Sequence, residues 1–120
     1  MRKSILRPKV NISFFLPEIS KDDKKKILKI FDSRILTNGP NVEKFENAFK
    51  KFTSSKHAVA VSNATAALHL SLKALGIGKN DQVIIPDITF AATASSVLQT
   101  GGIPVLADVD DDLNISIQSI

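Results

Sequence analysis

Ser62-Asn63-Ala64-Thr65-Ala66-Ala67-Leu68 is the stretch on which the reading of this chain turns. It follows the apolar run His57-Ala58-Val59-Ala60-Val61 and opens a helical pattern that ends near Leu75. A strand that turns through small, hydroxyl-bearing residues into a helix presents free backbone N–H groups at the positive end of the helix dipole. Such a start is a seat for a phosphate. Ser62, Asn63 and Thr65 add polar side chains, and Ala64 and Ala66 let an anion approach the backbone closely. An ordinary N-cap closing a βα turn accounts for the same letters. The flanking sequence has to decide between the two.

Downstream, short apolar runs alternate with helical patterns. A strand over 57–61 leads into a helix over about 65–75, and Gly76 stands where a C-terminal glycine belongs, before a turn through Gly78 and Lys79-Asn80-Asp81. A second strand, Gln82-Val83-Ile84-Ile85, stops at Pro86. The next helix runs from Phe90 or Ala91 to Thr100 and ends at Gly101-Gly102, and a third strand spans Ile103-Pro104-Val105-Leu106-Ala107. Both crossovers are long enough to carry helices, which predicts a right-handed βαβαβ unit with a parallel sheet. The apolar strands match burial on both faces. The fold class is therefore α/β, a parallel sheet with flanking helices.

Upstream, residues 1–18 read as an irregular arm. Ser20, with Asp23 three residues on, is a capping pair for a helix over about 21–33. Thr37-Asn38-Gly39-Pro40 is turn chemistry. A second helix starts near Val42 and places Val42, Phe45, Phe49 and Phe52 on one face, a stripe that reads as core. The chain thus divides into an arm with helices over 1–56 and the start of an α/β domain over 57–120. Near the end, Ser116 reads as the cap of another helix. A three-stranded sheet with an unfinished crossover leads to the expectation of the N-terminal part of a larger protein.

Composition narrows the function classes. The chain has 120 residues and 43% hydrophobic content, room for one domain with a real core. It has no cysteine, so thiolate metal sites, disulfides and thiol nucleophiles are excluded, which suits a cytoplasmic location. No signal peptide or membrane-length apolar stretch is legible. Sixteen basic against twelve acidic residues give a net charge of +4, densest at Lys21, Lys24, Lys25, Lys26 and Lys29. Those lysines lie opposite the apolar Ile27, Leu28, Ile30 and Phe31 and lack arginine or aromatic company. They read as a solvated helix face and not as a nucleic-acid surface.

Several segments in order then resemble one family. They are Leu36-Thr37-Asn38-Gly39-Pro40 with Val42, Phe45 and Glu46; Ala58 to His69; Ala74-Leu75-Gly76-Ile77-Gly78; Asp81 to Pro86; Thr89-Phe90-Ala91-Ala92-Thr93; and Gly102 to Val105 with Asp108-Val109-Asp110. In this spacing, from about residue 10 onward, the chain resembles the start of the pyridoxal-phosphate-dependent sugar aminotransferases of DegT/StrS type. The resemblance implies the large domain of an aspartate-aminotransferase-like fold, pyridoxal 5'-phosphate as cofactor, and a cytoplasmic homodimer. It implies transfer of an amino group from glutamate to a nucleotide-linked keto-sugar, as in polysaccharide biosynthesis.

On matching positions, Ala64 and Thr65 correspond to the family's phosphate-holding segment, with Ala64 where glycine is usual. Phe90 matches the aromatic that stacks on the pyridine ring. A ring placed after a strand's C-terminal end also faces the crevice where α/β ligands sit, although Phe90 as plain core stays open. Thr37, Asn38 and Gly39 match a loop that approaches a partner subunit's active site. The family's imine-forming lysine, and the acid that pairs with the pyridine nitrogen, match nothing within these residues. No catalytic residue is therefore assigned, and the 120 residues alone are expected to be inactive. Two alternatives accompany this reading: a dehydratase relative with histidine in place of that lysine, and a non-catalytic truncated phosphate-binding fragment.

Other chemistry finds less support. His57 and His69 sit in different kinds of element, so a metal pair is not expected. Asp108, Asp110, Asp112 and Asn114 lack the glycine and closing glutamate of a calcium loop and read as a solvated turn. No metal site is assigned.

Overall fold

The first helix follows from its cap. Ser20 Oγ accepts from the Asp23 N–H at 3.0 Å, and the Asp23 carboxylate accepts from the Ser20 N–H at 3.0 Å, so two otherwise orphaned donors are satisfied reciprocally. From that box α1 runs Lys21–Phe31. The structure, a computed structural model, describes residue 13 and residues 15–120. The irregular arm expected over 1–18 lies mostly outside the described residues. The chain divides into two compact units, one ending at Lys44 and the other spanning Phe45–Ile120.

The unit ending at Lys44 is built on α1 and the start of α2, Pro40–Thr53. No residue of α1 is buried; Leu28 and Phe31 of its apolar stripe are exposed, and Lys26 pairs with Asp22 one turn away at 2.6 Å in open solvent. Such exposed pairs contribute little. α2 starts two residues before the expected Val42 because Pro40 takes the first helical position. Its fixed φ suits that place and its missing N–H is no loss there. The Gly39 carbonyl then accepts from the Val42 N–H at 2.9 Å.

The second unit is a parallel α/β layer. α3 runs Ala64–Ala74, β1 Gln82–Pro86, α4 Ala92–Thr100 and β2 Ile103–Ala107. Both helices end in the same motif. The Gly76 N–H donates to the Lys73 carbonyl and the Ile77 N–H to Leu72, at 3.0 Å each; after α4, Gly101 donates to Leu98 and Gly102 to Val97. Gly76 and Gly101 have φ of +83° and +89°, the left-handed region this motif needs. β1 and β2 pair in parallel with Gln82 opposite Ile103 and Pro86 opposite Ala107, as the crossover through α4 predicts. α4 packs on α3 and on both strands, and the core lies under it: Ile85, Val97 and Ala107, with buried Ser96 and Thr100. Those two hydroxyls donate to the Thr93 and Val97 carbonyls, so neither is left unpaired.

Three expectations are corrected. Residues 57–61 are extended but form no ladder, so the sheet of the described residues has two strands, not three. A strand is defined by its neighbour's hydrogen bonds, and none of the described residues supplies one. The α2 stripe is not core: Phe45, Phe49 and Phe52 are exposed, Phe52 by 88%. Periodicity places side chains on a common face but does not provide what covers it. Ser116 does not cap an α-helix; a single 3-10 turn, Ile117–Ser119, follows it, and the Ser116 side chain makes no cap bond.

Candidate functional site

The start of α3 is a problem of donors and acceptors. Four N–H groups at a helix N-terminus have no intrahelical partner. Here they are the N–H groups of Asn63, Ala64, Thr65 and Ala66. The Asn63 side-chain oxygen, at the extended N-cap, accepts from the Ala66 N–H at 2.8 Å, and the Asn63 carbonyl opens the helix ladder by accepting from Ala67 at 3.1 Å. The N–H groups of Asn63, Ala64 and Thr65 have no partner among the described residues. Those of Ala64 and Thr65 are adjacent donors at the positive end of the dipole, with methyl and hydroxyethyl side chains that leave the approach open. Thr65 is half-buried, while Ser62, Asn63 and Ala64 face solvent. The free N–H groups of Ala64 and Thr65, the Thr65 hydroxyl and the lack of an acidic side chain among Ser62 to Thr65 suit a phosphate dianion. The N-cap reading is realised at Ala66, and the donors a seat would need remain free at Ala64 and Thr65.

Phe90 lies in the loop between the C-terminal end of β1 and the start of α4. It is not core: 81% of its surface is exposed. The loop that carries it is nevertheless held on both sides. The Thr89 and Thr93 hydroxyls are 2.8 Å apart, and the Thr93 N–H donates to the Phe90 carbonyl at 2.9 Å. That clamp fixes the backbone under an unpacked ring, an arrangement that leaves the ring face free for a planar ligand. Thr93 lay in a matching segment of the sequence, but nothing there marked it as the clamp.

Thr37, Asn38 and Gly39 belong to the other unit. Asn38 has φ of 43°, a left-handed turn position, and a side chain on Gly39 would meet Ile35 at 2.9 Å. The loop is therefore a tight, specified turn. Thr37 and Asn38 are exposed.

A cavity of about 760 Å³ lies along α2, residues 57–61 and the start of α3, lined by Phe45, Phe49, Ala58, Val59, Ala60 and Ala67 among others. It includes Ala64 but neither Thr65 nor Phe90, and apolar side chains dominate it. We read it as an apolar groove beside the start of α3 and not as a cofactor pocket, since its apolar lining outweighs the polar Glu46, Thr53, Ser55, His57 and Asn63. Of these, Glu46 ties the groove's own wall: its Oε1 accepts from the Ala60 N–H at 2.8 Å. No sequence signal marked this bond, since 14 residues separate the partners.

The acidic turn is self-contained. The Asp112 carboxylate accepts from the Asn114 N–H at 3.0 Å and from its side-chain amide at 3.1 Å, and these bonds hold its pKa below the usual carboxylate range. Val109 and Ile115 bridge antiparallel around the turn. Among the described residues no three His, Asp or Glu side chains gather as a metal site. His69 Nδ1 is 3.5 Å from the Ser96 carbonyl, a packing position on α3 against α4. No described helix is long and apolar enough to cross a membrane.

Known proteins share this arrangement. Residues 17–120 match the sequence profile of the DegT/DnrJ/EryC1/StrS aminotransferase family. The spore coat polysaccharide biosynthesis protein SpsC of Bacillus subtilis (strain 168) is 45% identical over 105 residues, which are 87% of this chain and 27% of that protein. Spr1654 of Streptococcus pneumoniae, described as a sugar aminotransferase and solved in its PLP form, superposes with a TM-score of 0.83 at 30% identity, over 92% of this chain and 29% of that one. The Escherichia coli GDP-4-keto-6-deoxy-D-mannose-3-dehydratase, solved with bound hydrated PLP, gives 0.77 at 30% identity, over 86% and 28%. The chain thus spans less than a third of the length of these relatives. With its parallel α/β layer, its capped helix start and a profile match over most of its length, the chain belongs to the DegT/DnrJ/EryC1/StrS aminotransferase family.

Proposed function

We propose that these residues are part of the cofactor-binding large domain of a pyridoxal-phosphate-dependent sugar aminotransferase. One observation carries the reading: the Ala64 and Thr65 N–H groups stay free at a helix start where the Asn63 side chain takes only the Ala66 donor. In this reading both groups donate to phosphate oxygens, the Thr65 hydroxyl adds a third donor, and the helix dipole favours the anion's charge. Phe90 lies against the pyridine face, on a loop held by the Thr89–Thr93 clamp. Residues 57–120 then begin the large domain, and residues 1–56 form the arm and helices. Thr37, Asn38 and Gly39 approach the active site of a partner subunit in a homodimer.

When bound, pyridoxal phosphate supplies the electron sink and carbonyl that amino transfer requires. The chain's own part is binding and orientation. No lysine here stands in a motif that matches the family's imine former, so the activity is that of the full-length polypeptide and not of these residues alone. The substrates we assign to that polypeptide are glutamate as amino donor and a nucleotide-linked keto-sugar as acceptor, with a cytoplasmic location. SpsC's role in polysaccharide biosynthesis supports a sugar substrate. The solved dehydratase supports a second reading, in which the same seat and ring serve removal of a hydroxyl. The residue at the imine-forming position separates the two.

The test is cofactor retention by the full-length protein. Thr65→Val keeps shape and removes a hydroxyl donor, and Phe90→Ala removes the stacking face. Each should weaken binding by about 1–3 kcal/mol, roughly tenfold or more. Lys25→Ala, on the solvated face of α1, should change nothing. Yellow absorbance that survives dialysis reports the result, and full retention in both site variants with the fold intact would place the site elsewhere.

A further inference from the structure

Residues 57–61 must be held by something other than a ladder. They are extended, no strand of the described residues pairs with them, and Val59 and Val61 are exposed. Two bonds tie this segment's backbone. One is local, from Ser55 Oγ to the His57 carbonyl at 3.0 Å. The other crosses to α2, from the Ala60 N–H to Glu46 Oε1 at 2.8 Å. Between Ala60 and the helix start the chain is Val61-Ser62-Asn63, all exposed, so while α4 places the body of α3, the approach to its first turn has little packing of its own.

We propose that Glu46 is a positioning residue for the phosphate seat: by gripping Ala60, its carboxylate sets where residues 57–63 deliver the free N–H groups of Ala64 and Thr65. The inference rests on the reading of those two groups as the seat. The chemistry suits the task. A carboxylate accepting a backbone N–H makes a hydrogen bond about twice as strong as a neutral one, with a narrow range of geometry. Glu46 is half-buried beside the apolar groove, whereas its helix neighbours Glu43 and Asn47 face solvent. A carboxylate with no structural task would stay in water, where its solvation is best. Phe45 and Phe49, with rings 6.0 Å apart, line the same groove as Glu46.

The experiment uses the full-length protein and two readouts: equilibrium binding of pyridoxal phosphate, and amide hydrogen exchange in the cofactor-free protein. Glu46→Ala should speed exchange at Ala60 and through residues 62–65, and weaken binding about tenfold, the scale for loss of one charge-assisted bond. Glu46→Gln keeps a side-chain oxygen acceptor and should restore binding to within about threefold. Val97→Ala opens a cavity in the α4 core and should lower the melting temperature while leaving binding unchanged. Unchanged binding in Glu46→Ala, no rescue by Glu46→Gln, or a loss in Val97→Ala as large as in Glu46→Ala would each overturn the proposal. Thr65→Val separates the two claims. If it weakens binding and Glu46→Ala does not, positioning alone fails. If it leaves binding unchanged while Glu46→Ala still frees Ala60, the seat itself is wrong, and the proposal falls with it.

Discussion

His57-Ala58-Val59-Ala60-Val61 and Gln82-Val83-Ile84-Ile85-Pro86 are each five residues long, mostly apolar and supplied with β-branched side chains, yet they become different structures. The second pairs along its whole length with Ile103–Ala107 and buries Ile85 to 3% exposure. The first is extended without a partner, leaves Val59 80% exposed, and is tied across the fold by a single carboxylate. The difference lies outside both segments. For 82–86, α4 returns the chain so that a neighbour arrives in parallel register. For 57–61, the chain leaves into α3 and no described strand comes back alongside. Side-chain preference makes a segment fit to be a strand, but the ladder is completed by the neighbour.

The largest expected effect probes packing in the two segments. In the 120-residue chain, Ile85→Ala should cost about 2–4 kcal/mol of stability in urea unfolding, through lost burial and a cavity. Val59→Ala, at its exposed position, should stay within about 0.5 kcal/mol. Equal costs would mean that 57–61 is packed after all and would dissolve the contrast.

A middle-sized effect lies at the junction of 57–61 with α3. Asn63→Ala removes the acceptor of the Ala66 N–H and should cost about 0.5–2 kcal/mol of stability. Its amide exchange should rise at Ala66 and much less at Ala64, whose N–H has no protein partner to lose. A uniform rise along the helix would show that the cap holds all of α3 and not one donor.

The smallest effect is at α1, where a helix stands on its cap without burial. The Ser20 hydroxyl, and then its N–H, hold the Asp23 carboxyl below its usual range. A folded value below the unfolded one means that the box stabilises fully above the ordinary aspartate value and loses its contribution as pH falls through the lower folded value. The Ser20 amide resonance should therefore step with a midpoint below the ordinary aspartate value. Asp23→Asn should abolish that step; a step centred at or above the ordinary aspartate value would belong to another group.

What the sequence disclosed follows the same division. Elements set by local chemistry were legible to within a residue or two: α1 from Ser20 and Asp23, the ends of α3 and α4 from Gly76 and Gly101, and both β1 and β2 from apolar runs bounded by turns. Pro40 as the first residue of α2 is legible in principle, since proline favours that place, although turn chemistry over Thr37 to Pro40 points to a start near Val42. Features set by distant partners were not legible. The missing ladder at 57–61, the uncovered phenylalanines of α2 and the Glu46–Ala60 bond depend on what arrives in space, and no local pattern encodes that. At the candidate site, Ala64, Thr65 and Phe90 were named from spacing and resemblance. The division of donors at the helix start, Ala66 held by the Asn63 side chain while Ala64 and Thr65 are left free, became visible only in the structure.

That division is the centre of the account, and amide resonances test it most directly. Pyridoxal phosphate added to the cofactor-free, full-length protein should move the Ala64 and Thr65 amide signals farthest downfield, as two unpaired donors gain phosphate acceptors. Ala66 and Ala67, already bonded to Asn63, should move little. Strong shifts at Ala66 and Ala67 with Ala64 and Thr65 unmoved, or the strongest amide shifts at another helix start, would contradict it.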